Sequence, residues 1–106
     1  MTKLENISMI KEANIYFDGK VTSRTIFLAN GEKQTLGVMM PGDYTFDTAQ
    51  AEIMEMMSGE LEIKLAGESE FRKLNTPESF NVDANSSFDL KVKTVTDYCC
   101  SYIKES

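Results

Sequence analysis

Pro41-Gly42-Asp43-Tyr44-Thr45-Phe46-Asp47-Thr48-Ala49-Gln50-Ala51-Glu52-Ile53-Met54-Glu55-Met56-Met57-Ser58-Gly59-Glu60-Leu61-Glu62-Ile63-Lys64-Leu65 is the stretch whose reading decides the fold of this 106-residue chain. It opens on a Pro-Gly turn. Tyr44 to Thr48 then alternates aromatic and polar residues, the period of two that a half-buried strand requires. Ala49 to Met57 is the ambiguous part, because it consists of good helix formers and propensity alone would make it a helix. Ser58-Gly59 breaks that run. Glu60 to Leu65 alternates charged and apolar residues strictly, which is a strand with one buried face. Leu61, Ile63 and Leu65 therefore face the core, and Glu62 and Lys64 face solvent.

The same grammar continues outward. Asp18-Gly19 marks a turn, and Val21 to Leu28 is rich in strand formers. Asn30-Gly31 is the strongest hairpin signal of the chain, with Thr35 to Met40 as the returning strand. Beyond Leu65, Ala66-Gly67-Glu68 turns the chain and Phe71 to Leu74 returns. Pro77 opens a bend before Phe80-Asn81-Val82. Phe88 to Lys93 alternates again, and Tyr98 to Ile103 makes a last strand. Short strands split by turn signals predict one all-β domain, a small barrel over residues 14–106. An N-terminal extension over residues 1–13 precedes it, loose or docked elsewhere. Cys99 and Cys100 are adjacent, so a disulfide between them would be strained. On a strand, one thiol faces the core and the other faces away.

Composition removes whole classes of function. The net charge of −6 argues against a nucleic-acid partner, which needs a basic surface, yet leaves room for one small anion held by a few converging donors. No apolar run approaches the ~20 residues that cross a bilayer, and the N-terminus lacks the apolar middle of a signal peptide. No membrane partner and a cytoplasmic location are the expectation. The chain contains no histidine, which removes Ser-His-Asp and Cys-His catalysis and the commonest transition-metal ligand together. No glycine-rich phosphate loop is present. Carboxylates, hydroxyls, a few bases and an aromatic-methionine lining remain.

The order Pro41-Gly42, Glu52 and Gly59-Glu60-Leu61 resembles the first cupin motif, with the glutamate-to-glycine spacing intact. The motif's two histidine positions fall on Phe46 and Thr48, or on Thr45 and Asp47 if the gap is one longer. The resemblance implies a cupin-type β-barrel, a double-stranded β-helix, with its metal site dismantled. A second resemblance covers more of the chain. Asn14 to Ser23, Gly37-Val38-Met39, Gly42 to Thr48, Glu52, Met54, Ser58 to Leu61, Phe80-Asn81-Val82, Asn85 to Phe88 and Tyr98 to Tyr102 are similar to the blocks of the pyrimidine/purine nucleoside phosphorylase family of small cupins. Asp83 in place of a usual proline, and Thr76-Pro77-Glu78 in place of a glycine-containing turn, are departures in one connecting turn. The family resemblance implies phosphorolysis of purine and pyrimidine nucleosides to free base and pentose 1-phosphate. Inorganic phosphate is then the co-substrate, and no metal or other cofactor takes part.

Candidate site residues follow from the cupin manner of facing. Tyr44, Phe46 and Thr48 point inward together, joined by Glu52 and Met54 from the next strand. Tyr44 and Phe46 suit stacking on a base, Met39 and Met54 an adaptable wall, and Phe88 completes the substrate-binding set. Glu52 is the first candidate for ribose hydroxyls or for a developing oxocarbenium charge, and Tyr44 the second catalytic candidate. Phosphate falls to Ser23 with Arg24 or Lys33. Each also has a plainer reading: Phe46, Phe80 and Phe88 as core, Met54, Met56 and Met57 as packing, and Glu52, Arg24, Lys33 and Arg72 as solvated charges. The competing function is a non-catalytic cupin that binds a small metabolite. A metal-dependent cupin oxygenase or isomerase is disfavoured by the missing histidines. A homodimer is expected, because exposed sheet edges need covering.

Overall fold

The computed structural model describes residues 2–104. Its strands are β1 (Ser8–Met9), β2 (Asn14–Tyr16), β3 (Val21–Phe27), β4 (Lys33–Met39), β5 (Gly42–Asp47), β6 (Glu52–Ser58), β7 (Leu61–Leu65), β8 (Arg72–Lys73), β9 (Glu78–Val82), β10 (Ser87–Val92) and β11 (Thr96–Tyr102). The large sheet runs β1-β3-β4-β11-β6-β9, with β2 also on β3, and the small sheet runs β5-β10-β7-β8. The chain passes from β4 in the large sheet to β5 in the small one, back to β6, and across again to β7. From β8 it repeats the crossing to β9, β10 and β11. That winding is the double-stranded β-helix of a cupin. The two ladders face each other without closing into one continuous barrel.

The helix-forming run ends up as β6, between β11 and β9. Propensity loses to context. Met54 and Met56 are buried in the core while Ile53 and Glu55 face out, and both edges of the strand are hydrogen-bonded. In the small sheet, Phe46 pairs with Phe88, and Leu90 lies between Tyr44 and Ile63. Leu61 and Ile63 are fully buried as alternation requires. Glu62 and Lys64 reach the surface pairs Lys93–Glu62 and Lys64–Asp89. The Asn30-Gly31 hairpin joins β3 to β4, with Gly31 at φ +88. Gly37 stands in β4 because a Cβ there would fall 1.9 Å from the Thr22 carbonyl oxygen.

Residues 2–13 lie along the outside of the large sheet. Ser8 and Met9 pair with Phe27 and Ile26, the Ile10 amide donates to the Thr25 carbonyl at 2.9 Å, and Leu4 and Ile7 border a groove with Leu36, Met57 and Cys99. Cys99 faces this outer side and Cys100 belongs to the inner core; both thiols are free. Among the described residues no helix is long and apolar enough to cross a membrane.

Candidate active site

Pairing in the large sheet stacks its inward residues into rows. Ser23 lies opposite Gly37, and Gly37 opposite Tyr98. Thr25, Thr35, Cys100 and Met54 form the next row, and Tyr102 sits directly opposite Glu52 in the row beyond. The small sheet presents Phe46 and Phe88 across from them, their rings stacked at 5.4 Å. Between the sheets is a half-open cavity of about 140 Å³, lined on the large sheet by Ser23, Thr35, Met39, Glu52, Met54, Tyr98, Cys100 and Tyr102. Phe46, Asp47 and Phe88 line it from the small sheet, and Tyr16 from β2. The small-sheet wall is an aromatic pair with Asp47 beside it, and the large-sheet wall mixes hydroxyls, a thiol and a carboxylate with Met39 and Met54.

Glu52 is half-buried on the large-sheet wall. Burial raises its carboxyl above the usual value, while the Cys100 thiol and the Lys33 ammonium pull it partly back. Lys33 lies 4.6 Å above the Tyr102 ring. Burial pushes the Tyr98 phenol up to about 12. Burial also raises Tyr102 and Cys100, and the Glu52 charge adds to both shifts. These groups stay protonated near neutrality and serve as hydrogen-bond donors, not as nucleophiles. Asn14 Nδ2 donates to Ser23 Oγ at 3.2 Å and to Thr25 Oγ1 at 3.0 Å, which leaves both hydroxyl hydrogens free to donate. No group of three or more His, Cys, Asp or Glu side chains is placed to hold a metal among the described residues.

Of the residues singled out in the sequence, Glu52, Met54, Met39, Phe46, Phe88 and Ser23 meet at this cavity. Four others lie elsewhere. Tyr44 points inward but packs beneath Phe46, and its hydroxyl donates to the Met40 carbonyl at 2.6 Å. Thr48 is buried, donating to the Asp83 carbonyl at 2.6 Å and accepting from the Ser86 amide, so its hydroxyl ties the end of β5 to the loop before β10. Arg24 faces outward, where its guanidinium donates to the Lys11 carbonyl at 3.0 Å. Its neighbour Ser23 faces inward, as adjacent strand positions must. Arg72 pairs with Glu78 at the surface. Sequence reasoning missed Tyr16, Thr35, Tyr98, Cys100 and Tyr102 as lining residues. The signal was present in Tyr98, Cys100 and Tyr102, which share one face of a strand.

The profile of the pyrimidine/purine nucleoside phosphorylase family matches residues 11–102. A pyrimidine/purine nucleoside phosphorylase of Sulfurimonas denitrificans is 70% identical over 98% of this chain and 100% of its own length. One of Syntrophotalea carbinolica is 56% identical over the same shares. A crystal structure of a protein of unknown function from Acinetobacter sp. ADP1 superposes with a TM-score of 0.91 at 36% identity, covering 95% of this chain and 98% of that one. Sequence blocks, cavity and full-length similarity converge, and the chain belongs to the pyrimidine/purine nucleoside phosphorylase family.

Proposed function

We propose that this chain cleaves purine and pyrimidine nucleosides with inorganic phosphate, releasing free base and pentose 1-phosphate. The observation that carries the reading is the division of the cavity, with a stacked aromatic pair on one wall and a half-buried carboxylate on the other. In the reaction the C1′–N bond breaks and its electron pair leaves with the base. A bond forms from C1′ to a phosphate oxygen. Phosphate is already an anionic nucleophile, so no side chain needs activating. The barrier lies in the positive charge that develops on the ribose, and the Glu52 carboxylate is the group on the large-sheet wall suited to oppose it. Phe46 and Phe88 take the base, and Met39 and Met54 adapt the walls to bases of different size.

Of the cations considered for phosphate, Lys33 lies beside Glu52 and Tyr102, whereas Arg24 faces the outer side. Ser23 and Lys33 do not share one phosphate: four positions along β4 separate their rows, about 13 Å at the rise of a strand. Lys33 is therefore the phosphate ligand in this proposal, and Ser23 serves the other end of the cavity. The proposed enzyme needs no metal, acts in the cytoplasm and works as a homodimer. Met9 and Ile15, 59% and 66% exposed on the β1 and β2 strands, provide apolar surface for pairing.

The test is incubation of purified protein with uridine, inosine and adenosine, with and without phosphate and with and without EDTA. Phosphate-dependent release of base that survives chelation is the expected result. Binding of nucleoside without release would identify a non-catalytic binder, and loss of turnover in EDTA restored by one divalent ion would overturn metal independence. Sedimentation at micromolar concentration checks the dimer.

A further inference from the structure

The turn between β2 and β3 is strained. Phe17, Asp18 and Gly19 all adopt positive φ, at 51°, 55° and 91°. Glycine does so freely, but a bulky aromatic residue there is an outlier. Such strain persists only where surrounding structure enforces it, and it gathers at ligand clamps. Here the Lys20 amide donates back to the Phe17 carbonyl, and the Met40 amide donates to the Lys20 carbonyl at 2.8 Å. The turn is thereby pinned to the end of β4.

The geometry makes two aromatic side chains available at the cavity rim. Phe17 is 42% exposed and outside the core cluster. Its ring nevertheless lies 4.9 Å from Tyr44 and edge-on to Phe46 at 5.4 Å. Phe46 in turn stacks on Phe88. Tyr16 is 47% exposed and lines the cavity. Through the pairs Tyr16–Val21 and Val21–Met39, it stands at the Met39 end, opposite to the end that carries Glu52, Tyr102 and Lys33. Tyr98 lies between and feels both Tyr16 and Glu52.

We propose that the Tyr16–Gly19 turn is a nucleobase clamp. Tyr16 covers the base from the rim, across from Phe46 and Phe88, and Phe17 is a positioning residue that holds the Phe46 ring in place. The assignment of the base to this end rests on the phosphorolysis reading, which puts the sugar at Glu52. Stacking by rings recognises every base through its π-face and not through a hydrogen-bonding edge, which suits an enzyme of loose base preference.

The test measures nucleoside affinity by calorimetry with uridine and inosine in the absence of phosphate, alongside steady-state kinetics. Tyr16→Ala should weaken both nucleosides by roughly tenfold or more, the loss of one base–aromatic stack, and leave the phosphate KM unchanged. Tyr16→Phe should restore affinity. Phe17→Ala should weaken nucleosides less than Tyr16→Ala does, and both variants should melt near the parent because the side chains are exposed. Parent-like affinity in Tyr16→Ala, equal weakening of nucleoside and phosphate, or failure of Tyr16→Phe to rescue would each overturn the clamp. Tyr16-dependent nucleoside binding by a parent that releases no base would keep the clamp and overturn phosphorolysis. Phosphate-dependent turnover with an undisturbed nucleoside kcat/KM in Tyr16→Ala would do the reverse.

Discussion

The inner faces of the two sheets obey the same alternation and carry opposite chemistry. On the small sheet the inward side chains of β5, β7 and β10 are Tyr44, Phe46, Leu61, Ile63, Leu65, Phe88, Leu90 and Val92. Their one polar atom, the Tyr44 hydroxyl, is satisfied by a backbone carbonyl. On the large sheet, Ser23, Thr25, Thr35, Glu52, Tyr98, Cys100 and Tyr102 are interleaved with Val21, Met39, Met54 and Met56. Among the described residues no buried side-chain nitrogen or oxygen lacks a partner. The small sheet supplies apolar burial, the main favourable term in folding. The large sheet gives up some of that burial to line a cavity with groups that can orient a polar substrate. Most of the polar groups facing the interior thus lie on one sheet, while apolar burial is shared by both.

Substitution on each side tests that distribution. The largest effect on stability belongs to the small sheet: Ile63→Ala, at 0% exposure, should cost about 2–5 kcal/mol in denaturant unfolding. A change within ~0.5 kcal/mol would show that β7 does not carry the core. On the large sheet, Glu52→Gln keeps size and removes charge. It should lower turnover by about 10²-fold, equivalent to about 2.7 kcal/mol of transition-state stabilisation, while the fold survives. Near-parent turnover would move the catalytic assignment away from Glu52.

The same variant has a smaller and pH-dependent effect on melting. Because burial raises the Glu52 pKa above 4.5 in the folded protein, folding binds this proton more tightly than the unfolded chain does. The stability it contributes is complete below 4.5 and is lost as pH rises through the folded value. Glu52→Gln should therefore melt at or above the parent near neutrality, with the gap closing in acid. A variant less stable at neutral pH than the parent would show that the charge is structurally paired. The smallest effect is expected outside both inner faces. Arg24→Ala, on the outer surface, should change unfolding by less than ~0.5 kcal/mol and leave the KM for phosphate and nucleoside unaltered. A raised phosphate KM would bring Arg24 into the site.

Several parts of the site were legible because a strand's period of two is local. Once Tyr44 to Thr48 and Glu60 to Leu65 are strands, the faces of Phe46, Leu61 and Ile63 follow without further knowledge. The facing of Tyr98, Cys100 and Tyr102 follows equally, although nothing in their types says that a cavity lies before them. Tyr44 and Thr48 show the converse limit. Both point inward as alternation requires, yet their hydroxyls are taken by the Met40 and Asp83 carbonyls, partners set by how turns close. Ala49 to Met57 marks another limit, because helix propensity is a weak preference that two flanking ladders override.

By itself the sequence determined the all-β class, the positions of the turns, the inward and outward faces of most strands and the absence of any histidine chemistry. Each of these is a property of residue type or of neighbours a few positions apart. Only the tertiary structure decided which inward faces meet, and so which residues share the cavity. It set Glu52 beside Tyr102, Cys100 and Lys33, placed Arg24 on the far side of its sheet, and brought Phe17 onto Phe46. Those relations depend on strand pairings between residues dozens of positions apart, and their register is fixed by the packing of the whole core.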